Sequence, residues 1–324
     1  MLRNILAIAI GILVGALFCE LATRLVLDDG MNFDLEMWKY AKEIKVQSSD
    51  PEIGHEHSPN SQGKFMGVSI STNSLGLRNR EISNSKDPSV TRILMLGDSL
   101  TLGWGVRAKG TTSEILENIL NHNGADQKYE VINTGVGNYN TSMEVAYFVK
   151  KGYKLKPDIV ILNYFINDAE PTPRYQNNWL MRHLYSMVYI AGKVDIVRRT
   201  YFGGNDWKSY YEGLYDTNRP SWTRTKLAIH NLAVYCRKNN IDLILVNYPE
   251  LHQLDPYPFA EITKKVEMVA TENKIPFVDL LPTIANEDPQ SLWVSPTEAH
   301  PNEKANEVFA KEISSYLKTH QPVD

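Results

Sequence analysis

The segment Arg92-Ile-Leu-Met-Leu-Gly-Asp-Ser-Leu-Thr101 is an apolar run that stops at Gly97-Asp98-Ser99. A buried strand followed by a small residue and a serine places the hydroxyl at the carboxyl edge of a sheet, where open α/β folds bind their ligands. The residues that follow have a helical pattern, so the N–H of Ser99 would lie at a helix N-terminus, which favours negative charge. The segment predicts a nucleophilic serine, although an ordinary turn with Ser99 as the helix N-cap fits the same residues.

Apolar strands alternate with helical patterns from Arg92 onward. The predicted strands cover residues 93–96, 129–133, 159–164, 241–246 and 277–280. The predicted helices cover residues 113–122, 142–151, 223–239, 262–273 and 302–319. This alternation is typical of a parallel sheet covered on both faces by helices. A stretch at about residues 169–222, rich in Tyr, Trp and Arg, interrupts the alternation and is predicted to be an insertion.

Composition narrows the class of protein. The chain has 324 residues, 43% of them hydrophobic and 22% charged, as in ordinary globular proteins. The net charge is −4 and no long basic tract occurs, so nucleic acid is not an expected partner. Cys19 and Cys236 are the two cysteines, and a disulfide between them is not expected because Cys19 lies in an apolar N-terminal segment. No spacing of ligands indicates a metal site, and no cofactor is expected.

The N-terminal segment predicts contact with a membrane. Residues 5–19 carry no charge, Arg3 precedes them, and apolar character resumes after Glu20 as far as Leu27. A cleaved signal peptide and an uncleaved anchor both fit. The anchor is favoured because no small-x-small cleavage site follows. Arg3 inside and Asp28-Asp29 outside predict a single-pass protein of a bacterial inner membrane, with its main domain periplasmic or extracellular.

The chain therefore divides into three predicted parts. Residues 1–27 form the anchor, residues 28–90 an N-terminal extension, and residues 91–324 the main domain. The extension is expected to hold a short helix within residues 32–47, a loop over 51–60, one strand over 64–72 and a polar linker from residue 81.

Three further segments carry groups that an esterase needs. Gly135 and Gly137 follow the second strand and can bring backbone N–H groups close to a substrate carbonyl. Asn167 ends the third strand, and its amide can donate to an oxyanion without being ionised. His300 stands before the last helix, and an imidazole titrates near neutrality, so it can take a serine proton.

These segments resemble the four blocks of the SGNH, or GDSL-type, hydrolase family in order. The blocks are Gly97-Asp98-Ser99-Leu100, Asn133-Thr-Gly-Val-Gly-Asn138, Asn167-Asp168 and His300-Pro301-Asn302. The resemblance implies a three-layer, flavodoxin-like fold, Ser99 as nucleophile and His300 as base. It also implies an oxyanion hole made by the N–H groups of Ser99 and Asn138, or Gly137, and by the side chain of Asn167. Asn73-Ser-Leu-Gly-Leu-Arg78 and the anchor resemble a membrane-tethered, largely bacterial branch of the family.

The chain departs from the family pattern at two functional positions. Asn138 stands where the second block usually has glycine, and asparagine adopts left-handed backbone conformations more readily than most residues. Thr297 stands where the family has its acid, three residues before His300, and Glu298 is the nearest carboxylate. Either Glu298 or a backbone carbonyl is expected to orient His300.

The resemblance and the predicted location favour a serine esterase that removes O-acyl groups, acetyl first, from an envelope or exported carbohydrate. Transfer of the acyl group to a polysaccharide, a lipid esterase or thioesterase, and a non-catalytic envelope binding module are the alternatives. Trp104 and Asp98 are the candidate substrate-binding residues, Trp104 because it lies five residues after Ser99 and an aromatic ring can stack on a sugar. For Asp98 the favoured alternative is that it braces its own turn through hydrogen bonds to backbone N–H groups.

Overall fold

The computed structural model describes residues 1–83, 85–122, 128–172, 179–197 and 207–320. Helix α1 spans Leu2–Ala22 and continues as a π-helical turn over Thr23–Leu27. Together they are long and apolar enough to cross a membrane, and no residue of α1 is buried. This exposure differs from that of a core helix in a soluble protein, whereas a membrane span and a signal sequence both fit it.

The extension contains one helix and two small antiparallel sheets. Helix α2 spans Phe33–Glu43, β1 (Lys45–Gln47) pairs with β2 (His55–His57), and β3 (Gln62–Phe65) pairs with β4 (Val68–Ser71). The expected loop over residues 51–60 thus contains a strand. The expected single strand over 64–72 is a hairpin, because Met66 and Gly67 have positive φ, which suits a tight two-residue turn.

Five parallel strands form the main sheet, as predicted. They are β5 (Val90–Leu96), β6 (Lys128–Asn133), β7 (Ile159–Tyr164), β8 (Asp242–Asn247) and β9 (Phe277–Asp279). Their order in the sheet is β6-β5-β7-β8-β9. The chain therefore leaves β5 toward one neighbour and later returns to the other, and such a switch point opens a crevice at the carboxyl ends of the strands.

Helices cover both faces of this sheet. In chain order the helices of the main domain are α3 (Ser99–Leu102), α4 (Thr112–Asn121), α5 (Thr141–Lys150), α6 (Trp179–His183), α7 (Tyr185–Val197), α8 (Trp207–Leu214), α9 (Pro220–Lys238), α10 (Ala260–Glu272) and α11 (Glu303–His320). Helix α7 packs against α1 and α2, and the carbonyl of Met181 in α6 accepts a hydrogen bond from Trp38 Nε1 in α2. Leu94 and Leu96 share a core with α5, α9 and α10, whereas Ile93 and Met95 share one with α4 and α11. The three-layer α/β fold confirms the predicted fold class.

Two features lie between these elements. A hairpin of β10 (Trp293–Ser295) and β11 (Glu298–Pro301) precedes α11, where no strand was predicted. The predicted insertion at residues 169–222 contains α6, α7 and α8, while its residues 173–178 and 198–206 lie outside the described residues.

Candidate active site

Ser99 is the first residue of α3, directly beyond the carboxyl end of β5. Its backbone N–H therefore belongs to the first turn of a helix, where N–H groups have no partner within the helix. Asp98, not Ser99, is the N-cap, because its Oδ1 accepts a hydrogen bond from the N–H of Leu100 at 2.8 Å. The hydroxyl of Ser99 is thus left available for another partner.

That partner is His300. Ser99 Oγ lies 2.8 Å from His300 Nε2, although 201 residues separate the two in the chain. The other ring nitrogen, Nδ1, hydrogen bonds to Oε1 of Glu298, which also accepts from the His300 N–H at 3.3 Å. A hydroxyl, an imidazole and a carboxylate therefore form one continuous hydrogen-bonded chain, the arrangement that activates a serine.

The loop after β6 contains both candidate oxyanion donors, Asn138 and Gly137, and it engages the N–H of Gly137 in a hydrogen bond. Asn138 has φ +65° and an exposed side chain, so it occupies the left-handed conformation that its residue type allows. The N–H of Gly137 instead donates to the hydroxyl of Tyr40 at 3.1 Å. The alternative prediction that Gly137 supplies an oxyanion donor is therefore wrong, because its N–H is already engaged.

Gly135 also has a role other than the one expected. A Cβ atom at Gly135 would lie 2.2 Å from the backbone nitrogen of Leu102 in α3, so only glycine permits this approach. Asn133 completes the contact by donating from Nδ2 to the carbonyl of Thr101 at 2.6 Å. The glycine thus brings the loop against the serine helix rather than against a substrate.

Asn167 and Asp98 meet at the same edge of the sheet. Asn167 lies in a short 3₁₀ turn after β7, and its Nδ2 donates to Asp98 Oδ2 at 3.2 Å. Asp98 is 3% exposed and uses its other oxygen in the N-cap. The substrate-binding prediction for Asp98 is therefore wrong, and this residue braces its turn and holds Asn167.

Trp104 lies within a core rather than in a binding surface. It is 1% exposed and packs with Tyr40, Phe65 and Ile70 of the extension. The prediction that its ring stacks on a sugar is wrong, because both ring faces are covered by protein. The ring of Phe33, 38% exposed, is the aromatic group near the base, with its centroid 6.0 Å from that of His300.

The extension contributes residues that the sequence interpretation missed. Arg78 donates to the carbonyls of Leu102 at 2.9 Å and Gly103 at 2.6 Å, and so caps the end of the serine helix. Lys45 and His55 both hydrogen bond to the carbonyl of Gly137. The sequence signal for Arg78 was its place in the Asn73–Arg78 stretch, which resembles a branch of the family. That signal did not indicate what Arg78 contacts.

Besides Glu298, the buried carboxyl groups include those of Asp98, Asp168 and Glu144. Burial raises the pKa of Asp98, and it raises those of Asp168 and Glu144 well above the ordinary values. Asp168 accepts from the N–H of Phe165 at 2.9 Å and so braces its turn. Glu144 lies on α5, and the nearby charge of Asp168 raises its pKa further.

Comparisons with known proteins agree with this architecture. The profile of the GDSL-like lipase/acylhydrolase family matches residues 95–308, which is well over half of the chain. A search of curated protein sequences found no match.

Solved structures that match this chain include a G-D-S-L family protein from Desulfitobacterium hafniense. It is 16% identical with a TM-score of 0.45, over 70% of this chain and 99% of that one. An acetylxylan esterase from Geobacillus stearothermophilus is 15% identical with a TM-score of 0.47, over 70% and 93%. A two-domain esterase active on acetylated mannans is 15% identical with a TM-score of 0.48, over 72% and 50%. On the strength of the profile match, the chain belongs to the GDSL-like lipase/acylhydrolase family.

Proposed function

We propose that this protein is a serine esterase that works through an acyl-enzyme on Ser99. The observation that supports this most directly is the hydrogen-bonded chain from Ser99 through His300 to Glu298. Ser99 Oγ attacks the ester carbonyl carbon while His300 Nε2 takes its proton. Glu298 stabilises the imidazolium, which then protonates the departing alkoxide. Water attacks the acyl-enzyme with His300 again as base, and the acid is released as Ser99 regains its proton.

The negative charge that develops on the carbonyl oxygen needs hydrogen-bond donors. The N–H of Ser99, the N–H of Asn138 and the side-chain amide of Asn167 are the three donors that we assign to it. Ser99 and Asn167 follow adjacent strands β5 and β7, and Asn138 follows β6 on the other side of β5. The carboxyl ends of three neighbouring strands thus supply the proposed oxyanion hole, whose donors each contribute about 10²- to 10³-fold in rate in known enzymes.

We place this activity on O-acyl groups, acetyl first, of an envelope or exported carbohydrate. The support is the exposed, apolar helix α1, with Arg3 before its apolar run and Asp28-Asp29 after it. These features favour a single-pass anchor in a bacterial inner membrane, with the domain on the periplasmic or outer side. The likeness to a membrane-tethered branch of the family supports the same location.

The test is a burst experiment on the full chain in detergent with p-nitrophenyl acetate. We expect a burst of one p-nitrophenol per active site, abolished by Ser99→Ala and by His300→Ala and retained by His320→Ala at an exposed position. A wild-type protein without burst or turnover would favour a binding module. Acetylated polysaccharide with an added acceptor sugar then separates the outcomes, since an esterase releases acetate and a transferase yields acetylated acceptor.

A further inference from the structure

We propose that Lys45, from the N-terminal extension, is a positioning residue for the oxyanion hole. It holds the carbonyl of the peptide that joins Gly137 to Asn138, so that the N–H of the same peptide stays turned toward the site of Ser99. This inference rests on the proposed esterase function and assigns a catalytic purpose to residues outside the part of the chain that matches the family.

The carbonyl of Gly137 is held by two donors from the extension. Lys45 Nζ donates to it, and His55 Nε2 donates to it at 3.1 Å. Lys45 Nζ also donates to Oδ1 of Asn138 at 3.2 Å, so one ammonium contacts the carbonyl of this peptide and the side chain of the residue that follows it. A trans peptide is planar and its C=O and N–H point in opposite directions. Fixing the carbonyl on the side of the extension therefore fixes the Asn138 N–H on the opposite side.

The preceding peptide is fixed by the same part of the chain. The N–H of Gly137 donates to Tyr40 Oη at 3.1 Å, and Tyr40 is fully buried beside Phe65 and Trp104. A Cβ atom on Gly137 would lie 2.9 Å from the Tyr40 ring, so the contact leaves no room for a side chain. With both peptides around Gly137 held, the turn cannot flip its N–H groups without breaking several hydrogen bonds.

Charge adds to this geometry. A cation on a carbonyl polarises the peptide and strengthens the N–H at its other end as a donor. It also brings positive potential to the region where an oxyanion forms. Among the residues that the structure describes, no carboxylate pairs with Lys45. Its charge is therefore not neutralised by a neighbour.

The groups that face Lys45 are aromatic or uncharged near neutral pH. Its Nζ lies 4.8 Å from the centroid of the Tyr40 ring. Burial, followed by the charge of Lys45, lowers the pKa of His55 to about 4 and that of His57 to about 3. Burial lowers the pKa of Lys45 to about 7. The ammonium therefore loses its proton in the range where an esterase is assayed, and activity should fall as the pH rises through that value.

The test compares Lys45→Met, Lys45→Arg and the nearby exposed control Lys42→Met across pH 5.5–9.5 in the full chain. We expect Lys45→Met to lower kcat by about tenfold or more with little change in KM, below the cost of losing a whole oxyanion donor. It should also lose the alkaline decline in kcat. Lys45→Arg, which stays charged, should retain activity and move that decline to higher pH, a gain that misfolding cannot produce. Binding of a boronic acid that forms a tetrahedral adduct should weaken in parallel with kcat in Lys45→Met.

The outcomes distinguish failure of the role of Lys45 from failure of the esterase function. An alkaline limb that is the same in wild type, Lys45→Arg and Lys42→Met overturns the role of Lys45 while leaving the esterase intact. A wild-type protein that neither hydrolyses the ester nor binds the boronic acid overturns both. Should Lys45→Met fail to fold, as seen by thermal unfolding, the Arg variant alone settles the matter through the position of its alkaline limb.

Discussion

The carboxylate of Glu298 hydrogen bonds to Nδ1 of His300, two residues further along the same strand. Successive side chains of a β-strand point to opposite faces, so residues two apart share a face. Strand β11 therefore places the carboxylate and the imidazole side by side. Thr297, three residues before His300, precedes this strand. Glu298 is the first residue of the strand, and its spacing of two from His300 puts both side chains on one face. An acid displaced by one residue from the family pattern can thus still orient the base.

Replacement of Glu298 by Gln should lower kcat strongly with little change in KM. The amide can hold the wrong tautomer of His300 and cannot stabilise an imidazolium, and in a serine protease the equivalent change costs about 10⁴-fold. Steady-state kinetics with p-nitrophenyl acetate measure the effect. Glu287→Gln, at an exposed position near α11, is the matched control. A Glu298→Gln enzyme within threefold of wild type would show that another group orients His300.

Replacement of Asn138 by Gly or by Val should show whether kcat depends on the backbone conformation at residue 138 or on the asparagine side chain. Asn138 has φ +65°, which glycine adopts freely and a β-branched residue resists. The N–H of residue 138 is the proposed donor, so Asn138→Gly should keep kcat within a few-fold of wild type. Asn138→Val should lose about 10²-fold, the lower end of the range for one oxyanion donor. Equal kcat values for the two variants would argue against a donor at this position.

Replacement of Trp104 by Ala should affect stability rather than substrate affinity. The side chain is 1% exposed in a core shared with the extension, and truncation of a buried Trp costs about 3–5 kcal/mol in the free energy of unfolding. Urea unfolding of the full chain measures this, with Trp179→Ala, 66% exposed, as a control expected near zero. A large rise in KM with unchanged stability would restore the stacking role.

Replacement of Glu144 by Gln should make the protein's stability less dependent on pH. Burial raises the pKa of Glu144 well above its ordinary value of 4.5, so the folded state keeps a proton that the unfolded state releases. Stability of the wild type should therefore fall as the pH rises above about 4.5, by up to about 1.4 kcal/mol per unit for this group. The Tm of Glu144→Gln relative to wild type should rise between pH 5 and pH 8. A Tm difference that is constant with pH would contradict it.

The five strands of the main sheet and helices α4, α5, α9, α10 and α11 could be predicted because their patterns are local. A continuous apolar run such as residues 159–164 identifies a buried strand without any tertiary information, and the predicted and observed bounds of β7 coincide. The left-handed conformation at Asn138 could also be predicted from the sequence, since asparagine permits positive φ. Both predictions depended on properties of a few consecutive residues.

The contacts of the extension could not be predicted in the same way. Lys45 lies 92 residues before Gly137, and nothing in the hydrophobic pattern of β1 indicates which loop its side chain will meet. Trp104 was misjudged because its closeness to Ser99 in sequence says nothing about which way its ring packs. The hairpin at Met66-Gly67 was missed because an alternating pattern continues through a two-residue turn without interruption.

The connection between α1 and helix α2 limits how far the active site can lie from α1. Phe33 follows Leu27, the end of the apolar helix, by six residues, which span at most about 22 Å when fully extended. Its ring lies against the imidazole that activates the serine. With α1 embedded in a bilayer, the short connection would keep the hydroxyl of Ser99 close to the lipid headgroups. A polymer would then be a substrate only while its ester groups lie near the membrane surface, and an ester far from the membrane would not reach the active site.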